Sequence, residues 1–280
     1  MKTKNLGVLA AAGFAAFCTF SALAADSVAF IANLKGDVAL DGAARPPLLA
    51  ELGKGQKLTV GKDSTLSVMF IQSGKEFVLK GPGDYVVGDT DIAAGKGTAP
   101  AARQTEWRTS SKVLVQVAQT SAASIRMRGI PPPEPTNLLL YPAKGGIATL
   151  QPTFRWQTDA KPPYEFTIST DNAPVHKAKA TGPSYRLGAR LKPATEYMWS
   201  VTAGGREIGS GAFRTLAAED IARLERRRPR HEAEFSDRLM YALLLQEAGA
   251  TDDAQEAWAA LARERSDLPE LARLTRTAAK

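Results

Sequence analysis

Apolar residues change their spacing three times along this chain, and each change predicts a different kind of element. Residues 6–20 form a nearly continuous apolar run behind Lys2 and Lys4. From 28 to 87, and again from 136 to 216, apolar positions alternate in short stretches broken by glycine or proline, the pattern of half-buried strands. Beyond 216 the apolar period lengthens to that of a helix face.

The first run reads as a secretory signal. It has a basic start, an apolar centre, and the small residues Ala22 and Ala24 flanking Leu23 at the expected cleavage site. The mature chain is therefore expected outside the cytoplasm, in the periplasm, with the signal either cut or kept as an anchor. No later segment reaches the roughly 18 consecutive apolar residues that a spanning helix requires, so no transmembrane span is expected in the mature chain.

In the first alternating region, Gly36-Asp37-Val38 opens a hairpin, Asp41-Gly42 marks a second turn, and residues 57–60 make a strand stopped by Gly61-Lys62-Asp63. Leu66, Val68 and Phe70 then alternate with Ser67, Met69 and Ile71, which sends one set to a core and the other to a partly covered face. Residues 76–79 return, and Gly81-Pro82-Gly83-Asp84 ends the return before Tyr85-Val86-Val87. A sandwich or barrel of short strands is predicted, with a domain spanning 27–95.

Pro131-Pro132-Pro133-Glu134-Pro135 is stiff and extended, because each proline fixes φ and keeps the residue before it out of the helix region. A new strand pattern begins at 137, so residues 96–135 read as a basic connector ending in a rigid linker, and 136–216 as a second β domain. Within it Thr153-Phe154-Arg155-Trp156 alternates, residues 164–169 alternate again through Tyr164, Phe166 and Ile168, and Tyr197, Trp199 and Val201 lie on one face of a strand. Trp156, Tyr197 and Trp199 are expected in its core.

Residues 217–280 are predicted helical. A helix over 217–228 carries Glu219 and Asp220 at its start and Arg226-Arg227-Arg228 at its end before Pro229, matching the helix dipole. Residues 237–248 and 252–265 form a pair broken at Gly249, with Trp258 in its core.

Three resemblances follow from these residues. The series Gly36-Asp37-Val38, Gly55-Gln56-Lys57-Leu58-Thr59-Val60-Gly61, Leu66-Ser67-Val68-Met69-Phe70, Gly74 and Phe77-Val78-Leu79 resembles the FecR domain, a periplasmic β module associated with iron-dicitrate signalling. That family's regulators carry a cytoplasmic sigma-factor-controlling segment and a membrane helix. Here the β module follows the signal directly, so sigma-factor control is not expected. Leu191-Lys192-Pro193 followed by Tyr197 looks like a fibronectin type III domain, and the resemblance implies a tyrosine bonded back to the upstream backbone. The order Gly249, Ala254, Trp258, Leu261 is similar to a tetratricopeptide hairpin. A lone hairpin cannot bury a continuous face, so it is expected to pack on the sandwich, self-associate or accept a partner helix. The fold class is thus mainly β: a FecR-like module, a fibronectin type III-like sandwich and an α-helical tail.

Composition adds little to this and removes several functions. The 280 residues are 44% hydrophobic and 23% charged, ordinary globular values. Removing Lys2 and Lys4 lowers Lys plus Arg from 36 to 34 against 29 acidic residues, a net +5. The basic excess is conspicuous between Lys96 and Arg128, where Trp107, Arg126 and Arg128 are candidates for contact with an anionic cell-wall polymer. No stacking motif points to nucleic acid. The single cysteine, Cys18, lies within the signal behind bulky Phe17, which leaves the mature chain without a disulfide.

Candidate chemistry is sparse. His176 and His231 lack companions at metal-ligand spacing, Gly95-Lys96-Gly97-Thr98 lacks the upstream glycine of a phosphate loop, and Asp84, Asp89 and Asp91 lack the glycine and glutamate of a calcium loop. No catalytic, cofactor or metal residue is assigned. The expected function is a non-enzymatic scaffold or sensor-accessory protein that binds another envelope protein through the helical tail. The alternative is an envelope-polymer binder using the basic connector.

Overall fold

The computed structural model describes residues 27–97, 100–107, 138–171, 173–230 and 232–277. Strand outweighs helix, 44% to 20%, so the chain is mainly β with helices gathered at its end. Ala22, Ala24, Arg126, Arg128, His231 and the 131–135 proline run lie outside the described residues.

Ten strands build the first module: β1 (Ser27–Lys35), β2 (Val38–Leu40), β3 (Ala43–Ala44), β4 (Glu51–Gly53), β5 (Lys57–Val60), β6 (Thr65–Phe70), β7 (Lys75–Lys80), β8 (Gly83–Val87), β9 (Ile92–Lys96) and β10 (Ala101–Gln104). They form two five-stranded sheets ordered β10-β7-β6-β1-β4 and β3-β2-β5-β8-β9. The expected strands at 57–60, 66–71 and 76–79 are present within a residue or so. At the turn before β2, Gly36 takes φ +79°, and a Cβ there would lie 2.3 Å from Ser64 Oγ, which accepts the Asp37 N–H at 2.9 Å.

Two expectations about this module need correction. It does not end at 95: β10, inside the presumed connector, pairs antiparallel with β7 from Ala101↔Val78 to Gln104↔Lys75. Nor is the second face of β6 partly covered along its whole length: Ser67 is half-buried as expected, but Met69, and Ile71 just past the strand, are buried along with Leu66, Val68 and Phe70. Four consecutive residues of β1, Ala29 to Ala32, are likewise fully buried, as happens when a sheet is covered on both faces. The second cover is helical.

The second module comprises β11 (Leu138–Tyr141), β12 (Gly146–Ile147), β13 (Thr153–Gln157), β14 (Tyr164–Thr170), β15 (Ala173–Ala180), β16 (Ser184–Arg186), β17 (Glu196–Ala203) and β18 (Arg206–Thr215). A three-stranded sheet β11-β13-β16 faces a five-stranded sheet β12-β18-β17-β14-β15 across an aromatic core. Trp156, Tyr197 and Trp199 are buried in it as expected; Phe154 packs edge-on to Trp199 at 5.0 Å. The Tyr197 hydroxyl accepts the Lys192 N–H at 2.9 Å, the upstream backbone bond anticipated from the sequence.

Four helices follow: α1 (Ala218–Arg227), α2 (Phe235–Glu247), α3 (Thr251–Glu264) and α4 (Pro269–Thr277). Trp258 is fully buried, with its Nε1 donating to Gln246 across the α2–α3 pair at 3.1 Å. Leu239, Leu243, Leu261 and Leu271 share a continuous core with Phe30, Met69 and Phe70 of the first module. The tail therefore packs on the first β module as well as touching the sandwich, one of the three destinations considered for it.

Candidate interaction cleft

The site is built where the helices meet both β modules. On the first module a row crosses three strands: Met69 on β6 lies opposite Glu76 on β7, which lies opposite Arg103 on β10. Glu76 is only 3% exposed, and an isolated buried carboxylate would be costly. The Arg103 guanidinium answers it. Its Nε donates to Glu76 at 2.9 Å, and its terminal nitrogens donate to Asp237 at 2.8 and 3.0 Å in the first turn of α2. The Asp237 bonds, then those to Glu76, hold the Arg103 pKa above its usual value against the opposing effect of burial.

Trp107 joins the same group. A candidate for polymer contact by sequence, it is 8% exposed, donates its Nε1–H to Asp237 at 2.8 Å, and carries the Arg227 guanidinium 5.9 Å above its ring. Its position is fixed by β10, whose pairing the sequence reading assigned to a connector. Deeper in the chain, Arg265 donates to the Leu34 carbonyl at 2.6 Å and lies 5.4 Å over Phe235, a further tie between helices and first module.

On the second module the ties come from the first turn of α3. Asp252 Oδ2 accepts the backbone N–H groups of Ala143 at 2.7 Å, Lys144 at 3.3 Å and Gly145 at 3.0 Å. Thr251 Oγ1 accepts Gly146 N–H at 3.1 Å, and Asp253 accepts Ala148 N–H at 2.6 Å and the Tyr141 hydroxyl. The approach requires glycine: a Cβ on Gly145 would lie 1.9 Å from Thr251 Oγ1, and one on Gly146 2.1 Å from the Gly249 carbonyl. Burial pushes the Asp253 pKa up, opposed by its bonds to Tyr141 and Ala148. Burial, then the charge of Asp253, pushes the Tyr141 phenol up as well.

Two of the indentations around these ties share one stretch of chain. A cavity of about 760 Å3 lies between the sandwich edge and the helices, with Pro152, Tyr141, Tyr241 and Ala257 among its apolar walls. A second, of about 530 Å3, lies against Trp107. Arg228, Pro229 and Arg230, the chain that joins α1 to α2, line both and form the ridge between them.

The sequence reading singled out neither Arg103, Asp237, Asp252 nor Asp253 as functional. The two aspartates of α3 and the one of α2 are ordinary first-turn residues by sequence, where a carboxylate complements the helix dipole. Only the tertiary partner gives them their second role. His176, expected on a sandwich loop, lies in β15 with its Nε2 2.7 Å from the Tyr185 hydroxyl. Among the described residues no helix is long and apolar enough to cross a membrane, and no three His, Cys, Asp or Glu side chains gather closely enough to hold a metal. No family model matches the chain, and no curated protein matches it either.

Proposed function

We propose that this protein is an exported, non-enzymatic scaffold or sensor-accessory protein that binds another envelope protein. The observation that carries the reading is the position of the helices. They tie to the first module through Arg103–Asp237–Trp107 and Arg265, and to the second through Thr251, Asp252 and Asp253. An arrangement in which buried charged groups fix two β modules against one helical block suits a molecule that presents surfaces in a set relation. Its resemblance to FecR and fibronectin type III modules, carried by the glycine-punctuated strands and by the Tyr197 corner, points to the same kind of work in the periplasm.

The partner surface moves in this reading. The helical tail, through which the partner was expected to bind, packs its apolar side against the first module, so recruitment falls to exposed positions around the helices and sandwich. Likewise, the polymer alternative no longer has the buried Trp107 ring as a contact.

Photo-crosslinking in intact cells tests the proposal. A photoreactive amino acid in place of Val175, Met198 or Arg230, the first two 51% and 50% exposed, is expected to give a discrete adduct with one envelope protein at one of these positions. Irradiation that yields no protein adduct at any of the three would reject it.

A further inference from the structure

We infer that the ridge Arg228-Pro229-Arg230, with the cleft on its sandwich side, is a recognition site for an acidic peptide segment of the partner; the inference rests on the scaffold reading and specifies its ligand. Most charged side chains around the two clefts are already matched. Arg155 pairs with Glu256 at 2.7 Å, Arg238 with Glu264, Arg103 with Glu76 and Asp237, and Arg227 reaches Glu106 and the Trp107 ring. Asp253, the other carboxylate of the larger cleft, is held by Tyr141 and Ala148.

Among the described residues, none of Arg226, Arg228 and Arg230 forms an ion pair. Glu225 precedes them and Glu232 stands on the rim of the smaller cleft, so the ridge keeps an excess of positive charge. The helix dipole explains Arg226 and Arg227 in the last turn of α1; it does not explain Arg230, which lies three residues past the helix. Arg228 and the Tyr241 hydroxyl stand together on the wall of the larger cleft. Pro229 keeps the connector extended between the two arginines.

The shape selects a peptide over a flat anionic surface. At about 760 Å3 the recess falls within the ~300–1,000 Å3 usual for pockets that enclose a ligand, and Pro152, Ala257, Tyr141 and Tyr241 share its lining with the ridge arginines. An extended segment can place carboxylates on Arg228 and Arg230 and an apolar side chain between Pro152 and Ala257, whereas a planar headgroup surface meets only the ridge. Guanidinium forks suit carboxylates for geometric reasons as well as for charge.

The test titrates a fluorescein-labelled alternating glutamate–leucine hexapeptide into the full chain, followed by anisotropy, with the lysine–leucine peptide, dextran sulfate and phosphatidylglycerol vesicles as comparators. The acidic peptide is expected to bind, to weaken with added salt, and to lose roughly fivefold or more in affinity in the Arg228→Gln/Arg230→Gln chain, while Arg223→Gln, outside the cleft, leaves affinity unchanged. If the Arg228 substitution lowers the melting temperature, Arg230→Gln alone takes its place, with a loss of affinity in the same direction. Failure of the peptide to bind, equal binding by the ridge variants, or retention of dextran sulfate or vesicles through the same arginines without peptide binding would each overturn the inference. A crosslinked adduct that persists in the ridge variant removes this cleft and leaves the scaffold reading standing. Absence of any adduct removes the scaffold reading, with the titration still deciding the cleft.

Discussion

Replacing Arg103 with methionine keeps the side chain's length and apolar stem but removes the guanidinium that ties Glu76 to Asp237. Asp237 retains the Trp107 indole, whereas Glu76, 3% exposed, is left charged and without its partner. Deleting one member of a buried pair costs about 3–5 kcal/mol. The Arg103 side chain is itself 39% exposed, so water screens part of the interaction and the lower end applies, about 3 kcal/mol. Adding Glu76→Gln removes the stranded charge, and the Arg103→Met/Glu76→Gln chain should recover about 2 kcal/mol of that loss. Arg103→Lys, which keeps one charge and loses the fork, should fall between wild type and Arg103→Met. Urea unfolding followed by far-ultraviolet circular dichroism at constant pH reads these differences as midpoint shifts. A loss below about 0.5 kcal/mol for Arg103→Met, or a double variant no more stable than the single, would refute the claim that the Glu76 charge is held by this one guanidinium.

Other consequences are open to the same kind of measurement. Trp156 Nε1 is buried with no hydrogen-bond partner, while Trp199 Nε1 donates to the Pro142 carbonyl at 3.0 Å, so Trp199→Phe should destabilise more than Trp156→Phe by about 1–3 kcal/mol; equal losses in thermal melts would contradict this. The folded pKa of Asp253 is raised, so the stability this group contributes is present at low pH and is lost as pH rises from the ordinary carboxylate range through the raised value. Asp253→Asn should accordingly match wild type near pH 3 and become relatively more stable towards pH 7, and the opposite trend in denaturant midpoints would reverse the assignment. Gly146→Ala drives a methyl into the Gly249 carbonyl and should cost about 1–3 kcal/mol, whereas Gly182→Ala, with open space around it, should cost under about 0.5 kcal/mol; a neutral Gly146→Ala in calorimetry would deny the close approach of sandwich to helix.

Much of the local structure was legible because it depends on near neighbours. The strand pattern read at 57–60 and 66–71 matches β5 and, within a residue, β6; the fibronectin type III resemblance implied the Tyr197 bond; and the helical period located three of the four described helices. What misled was composition read as location. Arg103 and Trp107 stand in a basic stretch that looks like solvated linker, and nothing within a few residues of them shows that β10 will pair with β7 or that Asp237, more than 120 residues away, will receive both side chains. Asp252 and Asp253 were equally silent, because a carboxylate in the first turn of a helix already has a sufficient local reason to be there.

By itself, then, the sequence determined the repeat periods, the turns and the residues of the sandwich and helical cores, since these follow from backbone sterics and from the burial of apolar side chains at fixed spacing. The tertiary structure alone decided which face of the tail is hidden, where the unmatched arginines stand, and that two β modules are joined through one helical block. Those outcomes depend on desolvated charges finding partners across long stretches of chain, and the strength of such a pairing is set by distance and burial, which no local pattern of residues encodes.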